Sequence, residues 1–144
     1  KNSLYEKVDV KSLNSLEKQV AEIIDNQPNV LWWTRNKVGR GWYAIQGWQR
    51  NKVRPDFIVA RKTTDNQLEI VYVLESKGEQ LLGNKDTQYK KNLFVAINDQ
   101  RNKVETIQTS TVKYKLNDKF QFEFVEQKQE ESTINRLFNS EQNI

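Results

Sequence analysis

Two stretches of this chain are almost continuously apolar: VRPDFIVA (residues 53–60) and LEIVYVLES (residues 68–76), joined by the polar turn RKTTDNQ. Runs of that length between turn residues read as strands covered on both faces, and so as the centre of a sheet. The short connection makes antiparallel pairing the natural expectation. Each run carries an acid that a buried strand should not want. Asp56 follows a proline, and Glu75 ends its run two residues before Lys77. Antiparallel pairing sets the start of one strand beside the end of the other, so Asp56, Glu75 and Lys77 are expected at one end of the sheet. Side chains alternate along a strand, which puts Glu75 and Lys77 on the side of Val71 and Val73 and turns Ser76 the other way.

The rest of the chain supplies layers for that sheet. SLNSLEKQVAEII (residues 12–24) places Leu13, Leu16, Val20, Ile23 and Ile24 at helical spacing, with Ser12, Asn14 or Ser15 as its cap and Pro28 beyond its end. Glu17 shares the edge of that apolar face. It is either a side chain at the core margin with its head in water, or an acid aimed at something. VLWWTRN (residues 30–36) and GWYAIQGWQ (residues 41–49) have the composition of strands, with glycines between them. The segment mixes Trp32, Trp33, Trp42, Tyr43 and Trp48 with Arg35, Lys37, Arg40 and Arg50. Core packing with snorkelling cations accounts for most of these tryptophans, and a nucleic-acid surface is the alternative.

NKDTQYKKNLFVAIND (residues 84–99) reads as a second helix, capped by Asn84 or Asp86, with Tyr89, Leu93 and Ile97 on one stripe. Residues 100–118 are polar and irregular, with a short strand at VETIQTS. KFQFEFVEQ (residues 119–127) alternates as a strand with one wet face, and EESTINRLFN (residues 130–139) makes a short helix. The fold class is α/β, a mixed central sheet flanked by helices in αβββαβ order, within one domain spanning residues 1–144.

Composition removes most chemistries. The chain has no Cys and no His, which excludes thiol nucleophiles, Ser-His-Asp triads and sites built on sulfur or imidazole. Carboxylates without either favour a hard, oxygen-seeking cation such as magnesium. Two carboxylates brought together repel unless a cation lies between them, and a divalent metal meets that need beside Lys77. An exposed Glu75–Lys77 salt bridge is the plainer account, but it leaves Asp56 unexplained. The net charge of +4 permits a nucleic-acid partner without requiring one. No apolar run is long enough to span a membrane and no signal-peptide pattern is present, so a cytoplasmic protein is expected. A chain that opens on Lys1 and contains no Met is expected to be part of a longer protein, with partners in cis.

Pro55-Asp56 followed by Glu75-Ser76-Lys77 resembles the signature of the PD-(D/E)xK nucleases, whose restriction-endonuclease-like core has the element order read above. The longer set SLNSLEKQVAEII, WWTRN, YAIQGW, RPDFIVA, ESKG and DTQYKKNLF resembles the C-terminal endonuclease domain of type III restriction enzymes and related helicase-nucleases. It runs from Ser12 to Phe94, and the tail after Asp99 carries no resemblance. The resemblance implies a DNA endonuclease with Asp56, Glu75, Lys77 and Glu17 as catalytic residues. Asp56, Glu75, the main-chain carbonyl of Ser76 and Glu17 would ligate Mg2+, with Mn2+ able to substitute, and Lys77 would hold the attacking water. Arg35, Arg40, Arg50, Lys52, Gln88 and Lys90 are the residues expected to meet the DNA backbone. An ATP-driven helicase or translocase is expected elsewhere in the full-length chain, since no GxxxxGK[ST] loop occurs here. The alternative is a non-catalytic restriction-like module that binds nucleic acid or protein. RNA in place of DNA is a third reading, because the chemistry is shared until a 2′-hydroxyl is read.

Overall fold

The computed structural model describes residue 3 and residues 13–37, 41–81, 83–101, 106–108, 113–115 and 120–139. Helix α1 (Ser15–Asp25) precedes three strands, β1 (Val30–Arg35), β2 (Phe57–Lys62) and β3 (Leu68–Lys77). A 3-10 turn (Glu79–Leu81) leads into α2 (Lys85–Arg101). Two short strands, β4 (Thr106–Gln108) and β5 (Lys113–Lys115), come before β6 (Phe120–Glu126) and α3 (Glu130–Phe138).

The main sheet has the order β1-β2-β3-β6. β1, β2 and β3 form an antiparallel meander, and β6 joins β3 in parallel from Val71↔Phe120 to Lys77↔Glu126. A parallel neighbour needs a crossover, and α2 provides it. The architecture is α/β, with a four-stranded mixed sheet between helices. One face carries α1 and α3, packed through Val20, Ile24, Ile134, Leu137 and Phe138 onto Phe57, Val59, Tyr72, Leu74 and Val125. The other face carries α2, whose Tyr89, Leu93 and Phe94 meet Val53, Val73 and Phe122. β2 and β3 are therefore covered on both sides, which is why their sequences are nearly unbroken apolar runs.

Three sequence expectations need correction. GWYAIQGWQ is not a strand. Its one ladder contact among the described residues is the bridge Ile45↔Val53, and the segment is a loop packed on α2 through Tyr43 and Ile45. The loop is closed by Asn36, 1% exposed, whose amide donates to the carbonyls of Tyr43 and Pro55 (both 2.8 Å) and whose Oδ1 accepts the Tyr43 N–H. Gly47 touches the α2 side chains so closely that a Cβ there would clash with the Tyr89 hydroxyl and lie 2.9 Å from Leu93. Second, the polar region after α2 holds two strands: β4 lies inside the expected one, and its partner β5 had no signal. Third, β6 has no fully wet face, because Val125 is buried among Ile134, Leu137 and Phe138 of α3. Of the two readings left open for Glu17, the structure takes the second: it is 7% exposed, and its carboxylate turns to the end of the sheet where Asp56 lies.

Candidate functional site

Helix α1 begins at Asn14, which caps it reciprocally with Glu17. The Glu17 N–H donates to Asn14 Oδ1 (2.8 Å), and the Asn14 N–H donates to Glu17 Oε1 (3.0 Å). This capping box fixes the direction of the Glu17 side chain. Its second oxygen, Oε2, accepts from Arg35 Nη2 at 2.9 Å. Arg35 is the last residue of β1, and its guanidinium lies over the Phe57 ring, 5.6 Å from the centroid. Its Nη1 donates to the carbonyls of Asn36 (2.6 Å) and Asp56 (3.0 Å) and lies 3.4 Å from Asp56 Oδ1. One cation thus bridges Glu17 and Asp56.

Asp56 sits one residue before β2. Pro55 offers no N–H, so main-chain pairing runs out there. The Asp56 N–H donates to Leu74 O at 2.9 Å. Its Oδ2 accepts from both the N–H (2.9 Å) and the hydroxyl (2.8 Å) of Ser76. Asp56 therefore straddles Glu75 in the neighbouring strand. Glu75 is 2% exposed and turns to two lysines, with Oε2 at 3.0 Å from Lys90 and 3.2 Å from Lys77. Lys90 comes from α2 and also pairs with Asp86 one turn earlier (3.3 Å).

The acids feel one another. Burial pushes the Glu75 carboxyl above its usual range, Asp56 pushes it further, and Lys90 and Lys77 pull against both. Burial likewise raises Glu17; its hydrogen bond from the Asn14 backbone and the Arg35 charge oppose the rise, and Asp56 adds to it. Burial draws the Lys90 ammonium down, but Glu75 and Asp86 outweigh it and hold it above its ordinary value.

A pocket of about 420 Å³ opens at this end of the sheet. The first turn of α1, Glu17, Asp56, Ser76, Lys77 and Gln80 form its walls, with Gln127 beyond the end of β6. Lys77 lines the pocket and pairs with Glu75, so it joins the two. Glu75 Oε1 is buried without a hydrogen-bond partner among the described residues. A buried carboxylate oxygen left bare is costly, and it is the kind of atom a small hard cation satisfies. Asp56 Oδ1, 3.4 Å from Arg35 in a half-buried side chain, is a second carboxylate oxygen at this end of the sheet. The donor set fits magnesium in chemistry. Among the described residues, however, no three acids gather closely enough to hold a metal ion by themselves. Asp56 turns toward Ser76 and Arg35, and Glu75 toward the lysines.

Of the residues expected to meet nucleic acid, Arg35 and Lys90 lie inside this site as partners of its acids. Arg50 and Lys52 are exposed on the loop before β2. Gln88 is exposed on α2, its amide donating to Asn92 (3.1 Å). Arg40 lies outside the described residues. The sequence reading missed Gln80 and Gln127 as walls of the pocket and Arg35 as the clamp between the acids. A basic residue closing an apolar strand, as Arg35 closes β1, is the same kind of signal that singled out Asp56. Comparison of the chain with protein-family models, with curated proteins and with solved structures finds no match.

Proposed function

We propose that the chain is a metal-dependent nuclease domain of PD-(D/E)xK type, hydrolysing phosphodiester bonds in DNA. The observation that carries the reading is the pocket at the sheet end, where Asp56 and Lys77 form the walls and Glu75, paired with Lys77, keeps one bare oxygen. Glu75 Oε1 and Asp56 Oδ1 would hold the ion, with Glu17 available once Arg35 releases it. Bound magnesium would supply a Lewis acid and lower the pKa of its water. Lys77 would hold the attacking water and offset charge gathering on the phosphoryl oxygens. Lys77 and Lys90 favour the ionised form of Glu75 that a cation needs. In this reading the domain is the cleavage module of a type III restriction-like enzyme, beside an ATP-driven translocase in the full-length chain.

The test is nicking of supercoiled plasmid by the full-length protein with Mg2+, Mn2+ or EDTA. Cleavage that needs the metal and disappears in Asp56→Ala supports the reading; metal-independent binding without cleavage sinks it. One observation favours a non-catalytic binding module instead. Arg35 pairs with both Glu17 and Asp56, and Lys77 and Lys90 pair with Glu75, so three cations offset these three acids within the protein. DNA binding of equal strength in EDTA, with no nicking, identifies that module.

A further inference from the structure

Residues 37–55 contain five cations (Lys37, Arg40, Arg50, Lys52 and Arg54) and no Asp or Glu, in a chain with 19 acids among 144 residues. The structure places Trp48 in the middle of this stretch, 63% exposed. A tryptophan left in water costs free energy that burial would recover, so an exposed indole fixed by its neighbours is suited to receive a partner. Trp48 is held in place. Its ring meets Tyr89 edge to face, with centroids 5.2 Å apart at 84°. Tyr89 is itself buried, and its hydroxyl accepts the Gln49 N–H at 3.3 Å. The Gln46 amide donates to Gln49 O (2.7 Å), tightening the turn that carries the ring.

We infer that Trp48 is a stacking platform for an unpaired base of single-stranded nucleic acid, with Arg50 and Lys52 beside it on the phosphates. Every base has a π-face, but a duplex keeps those faces stacked on one another, so only an unpaired strand offers one to an exposed indole. Gln46, Gln49, Arg50, Asn51 and Lys52 surround the ring in sequence and are all exposed. A single aromatic among polar and cationic side chains lacks the apolar core of a protein-docking site. The platform is tied to the proposed active site, because Tyr89 directly precedes the lysine that holds Glu75. The inference deepens the nuclease reading by naming an unpaired strand as what reaches the site. It rests on that reading only for its connection to cleavage.

The experiment reads binding alone. Fluorescence anisotropy of labelled oligo(dT) and of a duplex of equal length is measured in EDTA at low salt. Trp48→Ala is expected to weaken oligo(dT) binding by about 5- to 150-fold, the worth of one stacked base. It leaves duplex binding unchanged, and Trp48→Phe retains most of the affinity. Arg50→Glu with Lys52→Glu weakens both ligands and flattens the salt dependence. Thermal melting of each variant checks that the fold is intact, and Trp48→Phe keeps the test decisive should Trp48→Ala melt early. Wild-type affinity in Trp48→Ala overturns the inference. So does an equal loss for duplex and single strand, or a wild-type protein that binds neither. Because no metal is present, a failed nicking assay leaves this result untouched, and a failed platform leaves metal-dependent nicking to be judged separately.

Discussion

Removing the guanidinium of Arg35 separates the two cation arrangements this site can adopt. In the structure Arg35 lies 2.9 Å from Glu17 and 3.4 Å from Asp56, with side chains only 20%, 10% and 17% exposed. Arg35→Ala leaves two largely buried carboxylates facing each other and strips donors from the carbonyls of Asn36 and Asp56. Breaking a buried pair from one side costs 3–5 kcal/mol, and the residual wetting puts this case at the lower end, about 3 kcal/mol. For a chain of this size each kcal/mol shifts Tm by about 2–4 °C, so the metal-free variant should melt roughly 6–12 °C lower. Adding Glu17→Gln to Arg35→Ala should recover part of that loss, because one of the facing charges is gone. Magnesium should stabilise Arg35→Ala more than the wild type, since the ion no longer competes with a guanidinium. Calorimetry in EDTA and in MgCl2 reads all three. A loss below about 0.5 kcal/mol, the range of an ordinary surface change, refutes the clamp. An equal magnesium shift in both proteins refutes the competition.

The other predictions follow from the same geometry. Lys77→Ala should abolish plasmid nicking while leaving metal affinity, read by calorimetric titration, nearly intact; Asp56→Ala should remove both together. Glu17 and Glu75 have carboxyls raised above 4.5, so the folded state holds their protons more tightly than the unfolded chain. Their contribution to stability is complete below 4.5 and is lost as pH rises through the raised values. Urea unfolding in EDTA across that window should therefore show a smaller downward slope in Glu75→Gln than in the wild type. Gly47→Ala should cost about 1–3 kcal/mol by overpacking against Tyr89 and Leu93, with a matching drop in the urea midpoint.

Much of the architecture was legible because local and tertiary signals agree. The β2–β3 hairpin shows as two apolar runs around a polar turn, since both strands are covered on two faces. The start of α1 shows in the cap candidates Ser12, Asn14 and Ser15, of which Asn14 takes the role through a capping box with Glu17. α2 reads from Asn84, whose Oδ1 accepts the Thr87 N–H, to its apolar stripe. The loop between β1 and β2 misled because its aromatic composition mimics a strand. What decides it is the Asn36 side chain and the approach of Gly47 to α2, both set by residues far along the chain. The site divides the same way. Strand alternation places Glu75 with Lys77, but nothing local says that Lys90, 15 residues on, turns onto Glu75 or that Arg35 reaches Glu17. Charge type is local information; which opposite charge it meets is not.

The parallel pairing of β3 with β6 sets an order of events during synthesis. Lys77 O accepts the N–H of Gln127, and Gln127 also forms part of the pocket wall. At roughly 5–20 residues per second the ribosome needs several seconds to add the stretch of about fifty residues between them. Through that interval β3 has β2 on one side and an open edge of Val71, Val73 and Glu75 on the other. Closing the far loop is the slow, high-contact-order step, and it completes the core and the pocket together. A nascent chain that has not yet delivered β6 therefore has the acids before it has the pocket wall that Gln127 completes.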